Sequence, residues 1–175
     1  RAGDVVASVA LVEGEYGGLA YGDGHLFVSS LEPAEILKVD LAKGEVVARF
    51  AIAGPAGGLD YVDGRLYAQL FVGYPHLAVI DAASGETVDT MWSDESAMGL
   101  ATVDGDLLCT WSNGFTDTSS AELRLLDSDT GKVIARRALD RVHTSMAPTD
   151  SGFYSLVSTG DSTGNLVVRE YAYRP

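Results

Sequence analysis

A histidine and carboxylates brought to one rim can move a proton, and this sequence holds such a set. His143 stands in Arg141-Val142-His143-Thr144, Glu13 and Glu15 precede Tyr16, and Asp94 and Glu95 follow Trp92. His143 is the candidate base, and Glu15 or Glu95 its candidate partner. The same kinds of segment carry rings and amides: Tyr74 in Phe71-Val72-Gly73-Tyr74-Pro75-His76, and Asn113 and Phe115 in Trp111-Ser112-Asn113-Gly114-Phe115. Aromatics with a few polar groups around a concave mouth describe a small-molecule pocket. Tyr16, Tyr74, Asp94, Trp111, Asn113, Phe115 and His143 are therefore the expected ligand-binding residues. Binding of a small molecule or peptide is the leading expectation, because no nucleophile, base and orienter can be named as a set. A lyase or cyclase reaction on the same residues is the alternative. A structural subunit of a larger assembly is a third reading.

Other chemistries find less support. His25, His76 and His143 lack metal-ligand spacing. Asp127-Ser128-Asp129 resembles the start of a calcium loop but has no bidentate Glu at the required offset. No phosphate loop or nucleotide fingerprint occurs, so no cofactor and no metal is expected. Cys109 is the single cysteine, which forbids an internal disulfide, and its mid-strand place predicts a buried thiol. With 25 acidic against 12 basic residues the net charge is −13, which repels phosphate backbones and argues against nucleic acid. No apolar run reaches the roughly 18 residues of a membrane helix, so no membrane partner is expected. The chain begins at Arg1 rather than Met. A removed leader and a trimmed terminus both fit, and a secreted or periplasmic location is expected ahead of a cytoplasmic one.

The elements that must position these residues repeat. Gly17-Gly18-Leu19-Ala20-Tyr21-Gly22-Asp23-Gly24 returns as Gly57-Gly58-Leu59-Asp60-Tyr61-Val62-Asp63-Gly64 and as Met98-Gly99-Leu100-Ala101-Thr102-Val103-Asp104-Gly105. A looser copy is Ser145-Met146-Ala147-Pro148-Thr149-Asp150. The anchors Gly18, Gly58, Gly99 and Ser145 are 40, 41 and 46 residues apart. A period of about 40–45 residues, rich in short strands, is that of a β-propeller blade. The expected fold is all-β: a four-bladed β-propeller of four-stranded antiparallel blades, at 17–52, 57–93, 98–138 and 145–173 plus 4–12, in one domain over 1–175. Asp-Gly closes each of the first three A–B hairpins, since it tolerates positive φ at both turn centres. Asp40, Asp81 and Asp127 open the C–D turns, where capping of backbone N–H groups explains them.

The chain ends are two parts of one repeat. Gly3-Asp4-Val5-Val6-Ala7-Ser8-Val9-Ala10-Leu11 matches Gly44-Glu45-Val46-Val47-Ala48-Arg49-Phe50-Ala51-Ile52, an outer strand. Asn165-Leu166-Val167-Val168-Arg169-Glu170 matches His76-Leu77-Ala78-Val79-Ile80-Asp81, a third strand. The N-terminal strand is thus expected beside the C-terminal one, closing the ring and removing two sheet edges. A monomer is expected, with a homodimer of two half-rings as the alternative. The B–C and D–A loops, which carry the candidate residues, then share one face around the axis.

The stretches Leu77-Ala78-Val79-Ile80-Asp81-Ala82-Ala83-Ser84-Gly85-Glu86-Thr87-Val88 and Leu126-Asp127-Ser128-Asp129-Thr130-Gly131-Lys132-Val133 resemble the repeat of quinoprotein-like and YVTN-type propellers. The resemblance is to a scaffold and spans nearly the whole chain. It implies the propeller fold and no quinone cofactor, since no cofactor residue of that superfamily matches. Asp63-Gly64-Arg65-Leu66-Tyr67 is also similar to an element of bacterial glutaminyl cyclotransferases and of propeller lyases, without their catalytic residues. Haemopexin-type propellers differ in repeat and in their disulfide-linked ends.

Overall fold

The computed structural model describes residues 8–73, 76–92, 97–103, 105–111, 121–139, 143–149, 152–158 and 166–172. Among these residues there is no helix, and the strands form four antiparallel sheets. Sheet I holds β1 (Tyr16–Gly22), β2 (His25–Ser30), β3 (Glu35–Asp40) and β4 (Glu45–Ala51). Sheet II holds β5 (Ala56–Val62), β6 (Arg65–Leu70), β7 (His76–Asp81) and β8 (Thr87–Trp92). Sheet III holds β9 (Ala97–Val103), β10 (Asp106–Trp111), β11 (Glu122–Leu126) and β12 (Val133–Ala138). Sheet IV holds β13 (His143–Thr149), β14 (Gly152–Ser158) and β15 (Leu166–Ala172). The expected pairing of the two chain ends is not seen among the described residues: residues 8–12 form no strand and sheet IV has three strands, while Val5 lies outside the described residues.

The turns follow from their residues. Asp23 and Gly24 have φ of 48° and 74°, and Asp63 and Gly64 have 46° and 81°, the left-handed pair that a tight hairpin needs. At the C–D turns the aspartates cap the backbone as expected. Asp40 Oδ1 accepts the N–H groups of Ala42 and Lys43 at 3.0 Å, Asp81 Oδ1 those of Ala83 (3.1 Å) and Ser84 (2.7 Å), and Asp127 Oδ1 those of Asp129 (3.2 Å) and Thr130 (2.7 Å). The carboxyl of Asp81 is held below its ordinary range by these backbone bonds first and the Ser84 hydroxyl next, and that of Asp127 by the Thr130 hydroxyl first and the backbone bonds next. A hydrogen bond from Lys43 does most for Asp40.

Each of the first three sheets packs its leading face on the trailing face of the next. Phe27, Ile36 and Phe50 of sheet I meet Leu59, Leu66, Ala68, Ala78 and Ile80 of sheet II. Tyr67, Leu77, Val79 and Met91 of sheet II meet Leu100, Leu107 and Leu126 of sheet III. Ala101, Leu123 and Leu125 of sheet III meet Met146, Phe153 and Tyr171 of sheet IV. On the trailing face of sheet I lies the N-terminal segment, with Val9 and Leu11 against Val28, Leu37 and Val39. Burying each large side chain contributes about 1.5–3 kcal/mol, so these seams are where the fold gains its stability.

One register differs from the sequence match. Gly152 pairs with Ala172 in sheet IV as His25 pairs with Asp40 in sheet I. Residues 167–172, not 165–170, therefore correspond to His76–Asp81. A slip of two leaves the inward and outward alternation intact, so the apolar pattern alone could not detect it.

Candidate functional site

β1 lies against β5, β5 against β9 and β9 against β13, so the inner strands follow one another around a common axis. Each carries an irregularity near its start: between Tyr16 and Leu19, between Ala56 and Leu59, opposite Thr110 and Trp111, and between His143 and Ser145. Such bulges twist the strand and re-aim its backbone. The four bulged stretches line one cavity of about 60 Å³, walled by Gly17, Gly18, Gly57, Gly58, Gly99 and Ser145 and by the Leu19, Leu59, Leu100 and Met146 that follow them. A methyl on Gly18 would lie 2.7 Å from the Gly57 carbonyl, and one on Gly17 would strike the Ala56 carbonyl. Glycine at these places is what lets the backbones approach. The cavity has room for about two waters, far less than the roughly 300 Å³ of a ligand pocket.

Side chains from the second strands brace the mouth of that cavity. Ser29, fully buried, accepts the Gly18 N–H at 2.6 Å and donates to the Ala56 carbonyl at 2.9 Å, tying sheet I to sheet II. Gln69 stands at the same register in sheet II, and its amide donates to the carbonyls of His76 (3.3 Å) and Leu70 (3.4 Å). Phe71 follows, its N–H bonded to the Pro55 carbonyl at 2.9 Å and its ring laid over Gly57. Phe71 is 46% exposed and lies against Gly57, one of the residues that line the cavity.

His143 opens β13 but does not face the solvent at this mouth. It is 2% exposed and lies 5.2 Å from the ring of Tyr171, which stacks on Phe153. Ser155 Oγ donates its proton to the Ser145 carbonyl at 2.9 Å, so it accepts from His143 Nδ1 at 2.8 Å. The hydrogen-bond network thus assigns the imidazole proton to Nδ1. Tyr16 is committed elsewhere: its ring packs on the trailing face of sheet I and its hydroxyl donates to the Val12 carbonyl at 2.5 Å. Glu15 is exposed, and its carbonyl accepts the Leu31 N–H at 2.9 Å. Tyr74, Asp94, Glu95, Asn113 and Phe115 lie outside the described residues, as does the side chain of Trp111, which ends β10. The structure thus brings Glu15 and the backbone of Trp111 to the loop-rich end, and places His143 and Tyr16 in packed surroundings. Among the described residues no three His, Cys, Asp or Glu side chains gather as metal ligands.

Sequence reasoning passed over Ser29, Gln69, Phe71 and Ser155 as site residues. It also passed over Asp60, a buried carboxyl on β5 that accepts the Thr102 hydroxyl of β9 at 2.5 Å. Burial pushes the Asp60 carboxyl above its ordinary range, against the hydrogen bonds that lower it. The signal for Asp60 was present: the other repeats carry Ala20, Ala101 and Ala147 at that place.

No protein-family model matches the sequence. No curated protein matches it either. Solved structures do match the fold. The computationally designed Ika4 protein aligns with 97% of this chain and 99% of its own, at TM-score 0.59 and 13% identity. The glutaminyl cyclase of Myxococcus xanthus aligns with 82% of this chain at TM-score 0.66 and 18% identity, and this chain spans 64% of it. BamB from Moraxella catarrhalis aligns with 89% at TM-score 0.56 and 14% identity, and this chain spans 43% of it. These likenesses support a propeller-like scaffold.

Proposed function

We propose that the four sheets are the blades of one propeller ring, closed by the N-terminal segment, and that its loop-rich end binds a small molecule or peptide around the axis. Closure is supported by two observations. The axial cavity is lined by Gly17 to Leu19 from β1 and by Ser145 and Met146 from β13, so the first and last inner strands share it. Val9 and Leu11 rest on sheet I as Phe50 and Ile52, their counterparts in the repeat, rest on sheet II.

Binding is carried by one observation, half-exposed Phe71 with its ring laid over Gly57 beside that cavity. A stacking platform over a backbone-lined opening takes flat or aromatic groups. Trp111, Asn113, Phe115, Tyr74 and Asp94 belong to the loops that share this face and extend the platform in this reading. His143 serves as the brace that sets the start of β13, through Ser155. Likeness to a glutaminyl cyclase at 18% identity is a likeness of fold and brings no catalytic residue with it.

The test is a thermal-shift screen of aromatic metabolites and aromatic dipeptides, followed by titration of each hit. The reading expects hits whose affinity falls at least tenfold in Phe71→Ala and is unchanged in Val88→Ala, on the outer strand β8. Hits indifferent to Phe71 would move the site away from the axis.

A further inference from the structure

The repeat contains a position where a phenyl ring is present in one seam and missing in the next. In sheet I, Phe50 reaches across onto sheet II and lies against Gly85 of the C–D turn, where φ is 78° and an added methyl would strike the phenyl ring. It is buried there with Ala82, Leu66 and Ile80. One blade back, the counterparts are Val9 for Phe50, Gly44 for Gly85 and Leu41 for Ala82. Gly44 has the same turn geometry, with φ of 72°, yet a methyl built on it would meet nothing within 4 Å. Beside it a cavity of about 180 Å³ is walled by Val9, Leu11, Leu26, Val28, Val39 and Leu41. Val9 fills less of the seam than the phenylalanine that the repeat supplies next door.

We infer that this cavity, between residues 8–11 and the trailing face of sheet I, binds one free small aromatic molecule of about the size of benzene or indole. Three features point to that class of ligand. The described lining residues are aliphatic apart from Ser8, so they offer water few side-chain partners. A space of about 180 Å³ is large enough for a benzene-sized ring, and exposed Ser8 and Leu41 leave one side open for its entry. The neighbouring seam shows the shape of the filled site, with a single ring packed flat on a glycine turn and flanked by aliphatics. A charged or strongly polar ligand would lose its hydration without replacement. The site lies in the seam between blades and is separate from the mouth lined by Phe71.

The experiment uses the full chain and benzene and indole as probes, followed by methyl-resolved NMR and thermal shift. Saturable shifts of the Val9, Leu26, Val28 and Val39 methyls are expected, with a raised Tm. Val9→Phe supplies the missing ring from the chain itself. It should raise Tm without ligand and weaken both probes at least tenfold. Should that variant fail to fold, Val9→Leu serves, with a smaller loss of affinity in the same direction. Phe71→Ala should leave probe binding at these methyls unchanged, which separates this site from the mouth. Absence of saturable shifts in the unaltered chain, or binding that survives Val9→Phe, would overturn the inference.

Discussion

The facing surfaces of sheets I and II have corresponding surfaces on sheets IV and I, built from corresponding residues and covered very differently. Phe27 and Ile36 on the leading face of sheet I are fully buried, and Leu59 on the facing strand is 3% exposed. Their counterparts are Tyr154 and Val168 on sheet IV and Leu19 on β1, and these are 44%, 69% and 59% exposed. Tyr61, which stacks on Phe27 at 5.6 Å, corresponds to Tyr21, which is 63% exposed. The same strands in the same order therefore bury these positions at one place and leave them exposed at the other. Local sequence makes the blade, and side-chain volume at the outer strand decides how tightly two blades close. On the trailing face of sheet I, Val9 stands where Phe50 stands on sheet II, and a cavity remains beside it.

The contrast can be broken most forcefully by truncating matched residues. Ile36→Ala, in the sealed seam, should cost about 2–5 kcal/mol of unfolding free energy in urea titrations. Val168→Ala, its counterpart, should cost no more than about 0.5 kcal/mol. Equal costs would mean that the two seams are equally closed. Ser29→Ala comes next. It strands the bulged Gly18 N–H that Ser29 accepts at 2.6 Å, and a loss of about 1–3 kcal/mol is expected.

A smaller effect, of opposite sign, belongs to Asp60. Its carboxyl is raised in the folded state by burial, so the folded chain binds more protons than the unfolded one just above the unfolded value of 3.8. Stability should therefore fall as pH rises from 3.8 through the folded value, and then level off. Asp60→Asn, which can still accept the Thr102 hydroxyl, should flatten that slope and raise Tm at neutral pH. An unchanged pH profile in this variant would remove Asp60 from the account. The smallest effect is at the exposed C–D turns. Asp81 is lowered by its turn hydrogen bonds, so its contribution is present above 3.8 and lost as pH falls below it. Asp81→Asn should reduce Tm slightly at neutral pH and leave it unchanged at pH 2.

Much of the scaffold was legible because turn chemistry is local. Asp23-Gly24 and Asp63-Gly64 announce tight hairpins, and Asp40, Asp81 and Asp127 announce capped turns, from dipeptide or hexapeptide alone. The two-residue slip in β15 was not legible, since it preserves every facing. The site was read less well for a related reason. His143 and Tyr16 open inner strands, and chemistry-bearing residue types at a rim suggest solvent access. Packing against Tyr171 in one case, and the hydrogen bond to the Val12 carbonyl in the other, draws them inward. Phe71 opens the aromatic-bearing segment from which Tyr74 was singled out. Only its placement over Gly57 in three dimensions marks it.

The central claim is that one polypeptide closes the ring, with residues 4–11 as the fourth strand of sheet IV. Ile36 pairs with Phe50 across β3 and β4, and the repeat carries that pairing onto Val168 and Val9. The direct measurement is a set of cross-strand backbone NOEs in a sample mixing labelled and unlabelled chains. The account predicts intramolecular NOEs between Val9 and Val168 and between Ala7 and Glu170. NOEs seen only between different chains, or none between these residues, would contradict it.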